Sequence, residues 1–599
     1  MATAPEYSPP VEAPFTAGPG RRSGARSYAV PFIVAVTGHR DLVPDEIPIL
    51  RSRVRDCLFS LRYEYPSRII VVLSSLADGA DRIVAEEAVK LGMPLSVVLP
   101  MPRALYEEDF TPESREQFAQ LCDVASEVFE LPILPGATAR SIAEHGPART
   151  RQYAQVGVFL SAHCHVLLAV WDGKDSELMG GTAATVRFHH HDVMPGYTPR
   201  VTSSKLNLTE DESDLVYHIV CSRDRPDGAP AAGLNPFETF WFTTDEQSPR
   251  TAEIPPRHRK VFQYTNEFSR EAQENAAAID KERYSLLTGE QAATLPAGLW
   301  DINQVFCAAD WLAIKYQKKV VRTLKAGHVS AFLTAVAYLT YTDLEATNLV
   351  LVATISLMLF AVVNNAVAVR GSWQRKYLDY RTLAEGLRVQ FYWSAAGVTS
   401  GNVSKFAHDN FLQMQDTELG WIRNVMRVAG MECDVVPNLD PKGVEFAVAE
   451  WIGDDKSGQL GYYKKKVAQR IRDHESTERI GRMGIWTTII ALTALLLSGS
   501  QLPVEVQTPV VYIMGVVLLM VGIRQSYAKT TAEAELIKQY EFMSRIFRNA
   551  RKRIDDADND ADRRRILKIL GDSALEEHAQ WILIHRERSI DEKEGLKLG

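Results

Sequence analysis

Cysteine is scarce in this sequence of 599 residues, which contains six cysteines. They lie far apart, and no two of them have the CxxC spacing that structural zinc sites and redox-active disulfides use. Isolated cysteines of this kind are typical of buried thiols in a reducing compartment. The sequence therefore predicts neither a disulfide framework nor a structural metal site.

An excess of positive charge is also missing. The chain has 67 lysines and arginines against 75 aspartates and glutamates, which leaves a net charge of −8. A general nucleic-acid binder needs a basic face that displaces counterions from the phosphate backbone. The composition therefore argues against DNA or RNA as a partner.

Residues 1–27 lack a continuous apolar core and are rich in Pro, Ala, Gly and Ser. A secretory signal peptide needs such a core, so we expect a disordered tail here instead. The remaining length exceeds what one hydrophobic core supports, and several domains are expected.

Long apolar runs are abundant in the second half of the chain. A helix needs about 20 predominantly apolar residues to cross a bilayer. Two pairs of runs approach or reach this length, and a short turn with acidic residues separates the members of each pair. The sequence therefore predicts an all-α membrane domain with two transmembrane hairpins, whose four helices span 326–341, 349–369, 484–502 and 508–523.

Basic residues flank both hairpins on the side away from the turns. Lys318 and Lys319 precede the first hairpin and Arg370 follows it, and Lys464 to Lys466 and Arg524 flank the second in the same way. The positive-inside rule then predicts a multi-pass protein of the cytoplasmic (inner) membrane with both termini in the cytosol. The alternative is a pair of buried helical hairpins in a large soluble protein.

The two hairpins resemble each other beyond their hydropathy. "IKYQKKVVRTLKAG" precedes the first hairpin and "LGYYKKKVAQRIRD" precedes the second, which indicates an internal duplication. Asn364 and Asn365 lie within the second span, where amides either pack between helices or line an aqueous path. The predicted divisions are the tail 1–27, an α/β domain 28–225, a loop-rich connection 226–260, a first hairpin unit 261–399, a cytosolic helical insert 400–460 and a second hairpin unit 461–599.

The N-terminal part has a different pattern, in which short β-favouring runs alternate with helical stretches. Alternation of this kind is typical of a parallel, Rossmann-like α/β sheet. A short strand is also expected within "FWFTT", inside the loop-rich connection. The predicted strands are 32–36, 69–73, 95–99, 166–171 and 217–221.

Three segments that follow strands contain residues suited to binding an anionic ligand. They are "TGHR" at 37–40, "SSLADGADR" at 74–82 and "WDGKDSELMGGTAATV" at 171–186. In an open parallel sheet, ligands bind outside the carboxyl ends of the strands, where glycines let the backbone approach a phosphate and helix N-termini favour negative charge. We expect Asp78 or Asp81 to cap the helix after the second strand, and Asp172 to accept from a ribose hydroxyl. The candidate ligand-binding residues are Thr37, Gly38, His39, Arg40, Ser74, Ser75, Asp78, Gly79, Asp81, Asp172, Gly180, Gly181 and Thr182.

Two histidine clusters invite a metal interpretation. They are "HHHD" at 189–192 and "HCH" at 163–165. Adjacent histidines on a helix point in different directions, and the usual spacing of metal ligands is absent from both clusters. We therefore expect no metal site and no required cofactor.

The three strand-end segments, "VTGHRDL", "SSLADGADRIVAEEAVKLG" and "LLAVWDGK…GGTAATV", resemble those of SLOG domains over about residues 30–225. SLOG domains belong to a Rossmann-like superfamily that also holds the LOG phosphoribohydrolases. The two hairpins with their "KYQKKV" and "YYKKKV" entries are similar to SLATT-type membrane effector units. The resemblance implies that Thr37, Gly38 and Arg40 contact the phosphate or ribose of a nucleotide-derived ligand, and that Ser74, Ser75, Gly79, Gly180, Gly181 and Thr182 complete the pocket.

The chain departs from the LOG hydrolases at their catalytic motif, PGGxGTxxE. Met179 precedes the glycines here, and Ala183 and Ala184 follow Thr182. Val186 and Arg187 stand where the motif's glutamate is expected, so the expected acid is missing. Cleavage of an N-glycosidic bond needs a carboxylate beside the scissile bond, and Asp172 or Glu177 would have to be repositioned to supply it. Binding without turnover is therefore expected.

These observations predict a homo-oligomeric membrane effector whose SLOG-like domain senses a nucleotide second messenger, such as an ADP-ribose derivative. The ligand would gate or oligomerise the membrane module, and the resemblance implies a role in bacterial antiphage defence. One alternative is a membrane-anchored LOG-type nucleotide or nucleoside hydrolase. Another is a passive scaffold with a vestigial pocket.

Overall fold

The computed structural model describes residues 28–198, 214–288, 294–343, 347–398, 411–412, 417–435, 438–498 and 503–587. The expected tail, residues 400–410, 413–416 and 436–437 of the insert 400–460, and the last four residues of the span 484–502 lie outside the described residues. The chain forms two compact units, which are described separately. Unit 1 comprises residues 1–311 with 383–440, and unit 2 comprises residues 312–382 with 441–599.

The strands of unit 1 are β1 (Phe32–Gly38), β2 (Ile70–Ser74), β3 (Leu95–Leu99), β4 (Glu127–Glu130), β5 (Val166–Trp171), β6 (Val216–Val220), β7 (Thr239–Phe242) and β8 (Arg250–Thr251). The first eleven α-helices are α1 (Ile47–Glu64), α2 (Ala80–Lys90), α3 (Arg103–Tyr106), α4 (Pro112–Val124), α5 (Ala139–Ala143), α6 (Pro147–Ala162), α7 (Gly181–His191), α8 (Pro256–Glu274), α9 (Ala276–Glu282), α10 (Leu299–Asp343) and α11 (Asn348–Arg370). The later helices are α12 (Trp373–Ala396), α13 (Gly420–Ala429), α14 (Met431–Val435), α15 (Pro441–Phe446), α16 (Gly458–Ser498), α17 (Val504–Thr530), α18 (Glu533–Asp555) and α19 (Asp560–Glu587), with a π-helical turn at Ala447–Ile452.

The eight strands form one sheet in the order β4-β3-β2-β1-β5-β6-β7-β8. All pairs from β4 to β6 are parallel, and β7 and β8 add to the edge in antiparallel fashion. The Rossmann-like α/β prediction is thus confirmed at the level of the sheet. The chain builds outward from β1 to β4 and then returns to place β5 on the other side of β1. This reversal makes the carboxyl ends of β1 and β5 the place where a doubly wound sheet binds ligands.

All five predicted strands are present, and the short strand expected in "FWFTT" is β7. The fourth strand, β4, was not predicted. It is an edge strand in which both glutamates and Val128 are exposed, so its sequence lacks the apolar signal of a buried strand.

Hydrogen bonds from polar side chains, as well as apolar packing, fix the start of the central strand β1. The Arg68 guanidinium donates to the carbonyls of Val30 and Pro31 and lies 4.6 Å from the Phe32 ring centroid. His165 Nδ1 accepts a hydrogen bond from the backbone N–H of Ile33, the second residue of β1. These contacts fix the start of β1, and therefore the position of its functional end.

Three stretches of unit 2 are long and apolar enough to cross a membrane, namely Asn348–Arg370, Gly458–Ser498 and Val504–Asp555. Only 6%, 11% and 6% of their most apolar windows are buried, which suggests a membrane-associated protein. The fourth predicted span, 326–341, lies at the end of α10 and is not among them. The prediction of four spans is therefore not confirmed, since this run is short and follows a basic stretch directly.

Helices α10 and α11 lie side by side in unit 2. The Asn364 side chain donates to the Thr323 carbonyl across 3.1 Å, and the Ser330 hydroxyl donates to the Leu357 carbonyl across 2.8 Å. Asn364 therefore packs between helices, in agreement with one of its two predicted roles, whereas Asn365 is exposed.

Candidate ligand-binding site

The functional ends of β1 and β5 meet at His39 and Asp172. The His39 backbone N–H donates to the Val170 carbonyl, and His39 Nε2 lies 3.1 Å from Asp172 Oδ1. The same carboxylate oxygen accepts from the backbone N–H of Lys174 at 3.0 Å. The two strand ends that were predicted to form the site thus meet in a close contact between the His39 imidazole and the Asp172 carboxylate, at the point where the strand order reverses.

Asp172 is 1% exposed, yet half of its carboxylate is unsatisfied. Oδ2 accepts no hydrogen bond within the described part of the chain, and Arg225 Nη2 lies 4.0 Å away from it. Burial would raise the pKa of Asp172, but the close contact with His39 and the hydrogen bond from the Lys174 N–H outweigh burial and lower it. Asp172 is therefore an ionised acceptor that can take a hydrogen bond from a ligand hydroxyl.

Gly38 and Gly79 bring the end of β1 against the start of α2. A Cβ on Gly38 would lie 2.2 Å from the Cβ of Ala80, and a Cβ on Gly79 would lie 2.5 Å from the His39 carbonyl oxygen. Gly79 also has a φ of +81°, which side chains disfavour. The Ala80 N–H donates to the His39 carbonyl, so this part of the α2 N-terminus is occupied by the chain itself. Both glycines therefore position the site.

The polar residues after β2 bond to one another. Ser74 Oγ accepts from the Leu76 N–H, and Ser75 Oγ donates to Asp81 Oδ2 at 2.8 Å. Asp78 Oδ1 pairs with Arg82 and accepts from the Ser114 hydroxyl. Burial raises the pKa of Asp81 to about 6, against the lowering effects of Ser75 and Arg40.

The prediction that Asp78 or Asp81 caps α2 is wrong. The cap position is Gly79, and no side chain bonds to the helix N-terminus there. Asp78 is held by Arg82 and Ser114, and Asp81 lies inside the first turn, where it accepts from Ser75 instead.

The turn before α7 is the most open part of the site. Gly180 and Gly181 have φ values of +76° and +78°, and no side chain caps the helix that begins at Gly181. A Cβ on Gly181 would meet nothing within 4 Å. The next residue, Thr182, is buried, and the Thr185 hydroxyl bonds back to the Gly181 carbonyl. Consecutive glycines in this conformation at an uncapped helix N-terminus suit the binding of an anion.

Arg40 is exposed, and the Tyr153 side chain lies close both to Arg40 and to the glycine turn. The Arg40 Cζ is 5.8 Å from the Tyr153 ring centroid, and the Tyr153 Cβ would lie 3.8 Å from a Cβ on Gly180. In the described ranges, the Arg40 guanidinium makes neither a hydrogen bond nor an ion pair. Its positive charge is therefore available to a ligand near the glycine turn.

No family model and no curated protein matches the chain. The function of the site is therefore inferred from the geometry of the chain's own residues.

The sequence did not predict the residues that pack beside Arg40, namely Tyr153, Arg149 and Asp109. Tyr153 and Arg149 come from α6, and Asp109 follows α3, away from the strand ends. Arg149 Nη2 lies 2.7 Å from Asp109 Oδ1, and the Tyr153 hydroxyl bonds to Asp109 as well. Burial raises the pKa of Tyr153 to about 12, so its hydroxyl stays protonated. No local pattern marks these residues, because only the tertiary structure brings α3 and α6 to the ends of β1 and β5.

The histidine clusters and Glu177 lie outside the site. His163 Nδ1 contacts the Arg427 carbonyl and His189 Nε2 contacts the Leu215 carbonyl, so both support packing. The described residues contain no group of three potential metal ligands. Glu177 is exposed and pairs with Arg187.

Proposed function

We propose that the protein senses a nucleotide-derived small molecule at the carboxyl ends of β1 and β5. The main support for this proposal is that a buried carboxylate acceptor and a positively charged anion-binding group lie at the same strand ends. Asp172 Oδ2 is a buried, ionised acceptor, which suits a ribose hydroxyl. Arg40 and the open turn at Gly180 and Gly181 suit a phosphate.

In this proposal the ligand biases a membrane module that has four spans in two hairpins and both termini in the cytosol. Helix α10 continues without interruption from residues of unit 1 into residues of unit 2, which provides a covalent connection between the two. A ligand shifts the membrane module only if it binds one of its states more tightly than the other. Four spans per chain enclose no wide pore, so the output would require a homo-oligomer. The role in bacterial defence follows from the SLOG and SLATT resemblance.

The contact between His39 and Asp172 favours a second candidate, a hydrolase of N-glycosidic bonds. A carboxylate that orients an imidazole is a common arrangement for general base catalysis. His39 would accept a proton from water as the water oxygen bonds to the anomeric carbon of the ribose. The nucleobase would leave with the electron pair of the broken N-glycosidic bond and take a proton from solvent.

Ligand-dependent stabilisation of the full chain in a neutral detergent tests these proposals, with a panel of nucleotides and ADP-ribose derivatives as probes. A ligand at a hundredfold excess over its dissociation constant should stabilise the fold by about 2.7 kcal/mol. Arg40→Ala should abolish the effect. Arg53→Ala removes an exposed arginine from α1 and should not.

The state of the recovered ligand separates the candidates. Intact ligand supports the sensor, and ligand cleaved only when His39 is present supports the hydrolase. No stabilisation by any probe would support the passive scaffold and contradict both proposals.

A further inference from the structure

Unit 2 contains a group of cations without acidic partners at the base of its first hairpin. We call this group the hairpin 1 collar. None of its members makes an ion pair or a hydrogen bond to any residue that the structure describes. Its members are Lys318, Lys319, Arg322 and Lys325 on α10, and Arg370 at the end of α11.

The antiparallel packing of α10 and α11 brings Arg370 to the level of the first lysines of the collar. The hydrogen bonds from Asn364 to Thr323 and from Ser330 to Leu357 fix the register of the two helices. Moving toward the start of α10 therefore corresponds to moving toward the end of α11. In this register Arg370 lies level with Lys318 and Lys319. Arg322 and Lys325 follow one and two turns further along α10, so the collar covers about 10 Å at one end of the hairpin.

Aromatic rings accompany the collar. Lys319 Nζ lies 5.0 Å from the Tyr316 ring centroid and 5.1 Å from the Trp373 ring centroid. Trp373 is held there by the bend at Gly371 and Ser372, where Ser372 has a φ of +49°. Tryptophan and tyrosine beside lysine are typical of the boundary between a bilayer core and its headgroups.

No acidic residue neutralises the collar along the chain, because neither 311–328 nor 349–378 contains an aspartate or a glutamate. The second hairpin differs. Its entry helix carries Asp473, Glu475 and Glu478 among its cations, and Arg524 donates to the Thr477 hydroxyl. The uncompensated positive charge is therefore a property of the first hairpin.

We propose that the hairpin 1 collar binds the phosphate headgroup of an anionic phospholipid. Lys319 and Arg370 would contact the phosphate from α10 and from the end of α11, and Trp373 would lie at the headgroup level beside them. A lipid is the occupant because the collar directly adjoins α11, which is apolar, exposed and long enough to span a bilayer. Lipid composition would then control unit 2 independently of any ligand on unit 1.

Native mass spectrometry of the full chain in a neutral detergent tests this proposal. The probes are phosphatidylglycerol and phosphatidylcholine with the same acyl chains, and inorganic phosphate forms a third arm. We expect tighter binding of phosphatidylglycerol than of phosphatidylcholine. Each neutralised cation near a headgroup should weaken binding about fivefold, so Lys319→Gln with Arg370→Gln should weaken binding of phosphatidylglycerol by roughly 25-fold.

The matched control is Arg479→Gln with Arg482→Gln, which removes the same charge from exposed residues at the base of the second hairpin. It should leave the preference for phosphatidylglycerol within about twofold of the unaltered chain, because its neighbouring acids already reduce the local potential. Thermal unfolding of both variants checks that they remain folded. Equal loss in both variants, no preference in the unaltered chain, or an undiminished preference in the collar variant would overturn the proposal. Displacement of phosphatidylglycerol by millimolar inorganic phosphate would assign the collar to a free anion instead of a lipid.

Discussion

His39 Nε2 lies 3.1 Å from Asp172 Oδ1, across the point where the strand order of the sheet reverses. One residue follows β1 and the other follows β5, and more than a hundred residues separate them in the chain. The contact orders both strand ends and leaves Asp172 Oδ2 without a donor among the described residues. It therefore supplies an acceptor for a ligand and an oriented imidazole in the same crevice.

Asp172→Asn should weaken binding of a ligand that donates a hydroxyl to this site by roughly 10- to 100-fold, because a hydrogen bond to a charged group contributes about 1.5–3 kcal/mol. Isothermal titration calorimetry with the ligand identified by the stabilisation screen measures this change. His39→Gln should alter affinity only a few-fold if the protein is a sensor. Asp245→Asn, which changes an exposed carboxylate in the loop after β7, is the control. Unchanged affinity in Asp172→Asn would contradict the assigned role.

Gly79→Ala should destabilise unit 1 by about 3 kcal/mol or more, because it combines a positive φ with a Cβ only 2.5 Å from the His39 carbonyl oxygen. Gly92→Ala is a matched control, since Gly92 has a φ of +69° but a Cβ there would meet nothing within 4 Å. We expect it to cost about 1 kcal/mol. Denaturant unfolding of the two variants provides the comparison, and equal losses would show that the close approach at Gly79 is unimportant.

Asp81→Asn should become more stabilising as the pH rises. Burial raises the folded pKa of Asp81 from 3.8 to about 6, so the fold favours the protonated carboxyl. Below about pH 4 the carboxyl is protonated in both states. Between about pH 4 and 6 the carboxyl ionises in the unfolded state but stays protonated in the folded state. The unfolding free energy of the unaltered protein therefore falls by up to about 3 kcal/mol over this range, whereas that of Asp81→Asn does not.

Unfolding free energies of both proteins at about pH 4.5 and pH 7 test this sign. A difference between Asp81→Asn and the unaltered protein that stays constant with pH would show that Asp81 titrates normally. The opposite trend would show that its pKa is lowered in the fold.

Asn364→Ala should destabilise unit 2 by about 1 kcal/mol, because it removes the hydrogen bond to the Thr323 carbonyl between α10 and α11. Asn365→Ala removes the same side chain from the neighbouring exposed position and should have little effect. Thermal unfolding in a neutral detergent distinguishes the two. An equal or larger effect at Asn365 would indicate that this side chain has a role that the packing of the hairpin does not explain.

The strands, the long apolar helices and the three glycine-bearing strand ends were predictable, because each leaves a local pattern. β1 begins with the buried apolar run 32–36, and α11 is an apolar stretch of membrane-spanning length. The edge strand β4 was not predictable, since Glu127 and Glu130 interrupt its apolar pattern. The capping role of Asp78 or Asp81 was mispredicted because other residues occupy their carboxylate oxygens. Arg82 and Ser114 bind Asp78, and Ser75 donates to Asp81.

By itself the sequence determined which segments are strands, which are apolar enough for a membrane, and which residue types stand at the strand ends. Those properties depend on residues close together along the chain. Only the tertiary structure decided that His39 meets Asp172, that Tyr153 joins Arg40 to the glycine turn, and that Arg370 lies level with Lys319. Such contacts depend on strand order and helix register, which distant parts of the chain set together when they pack.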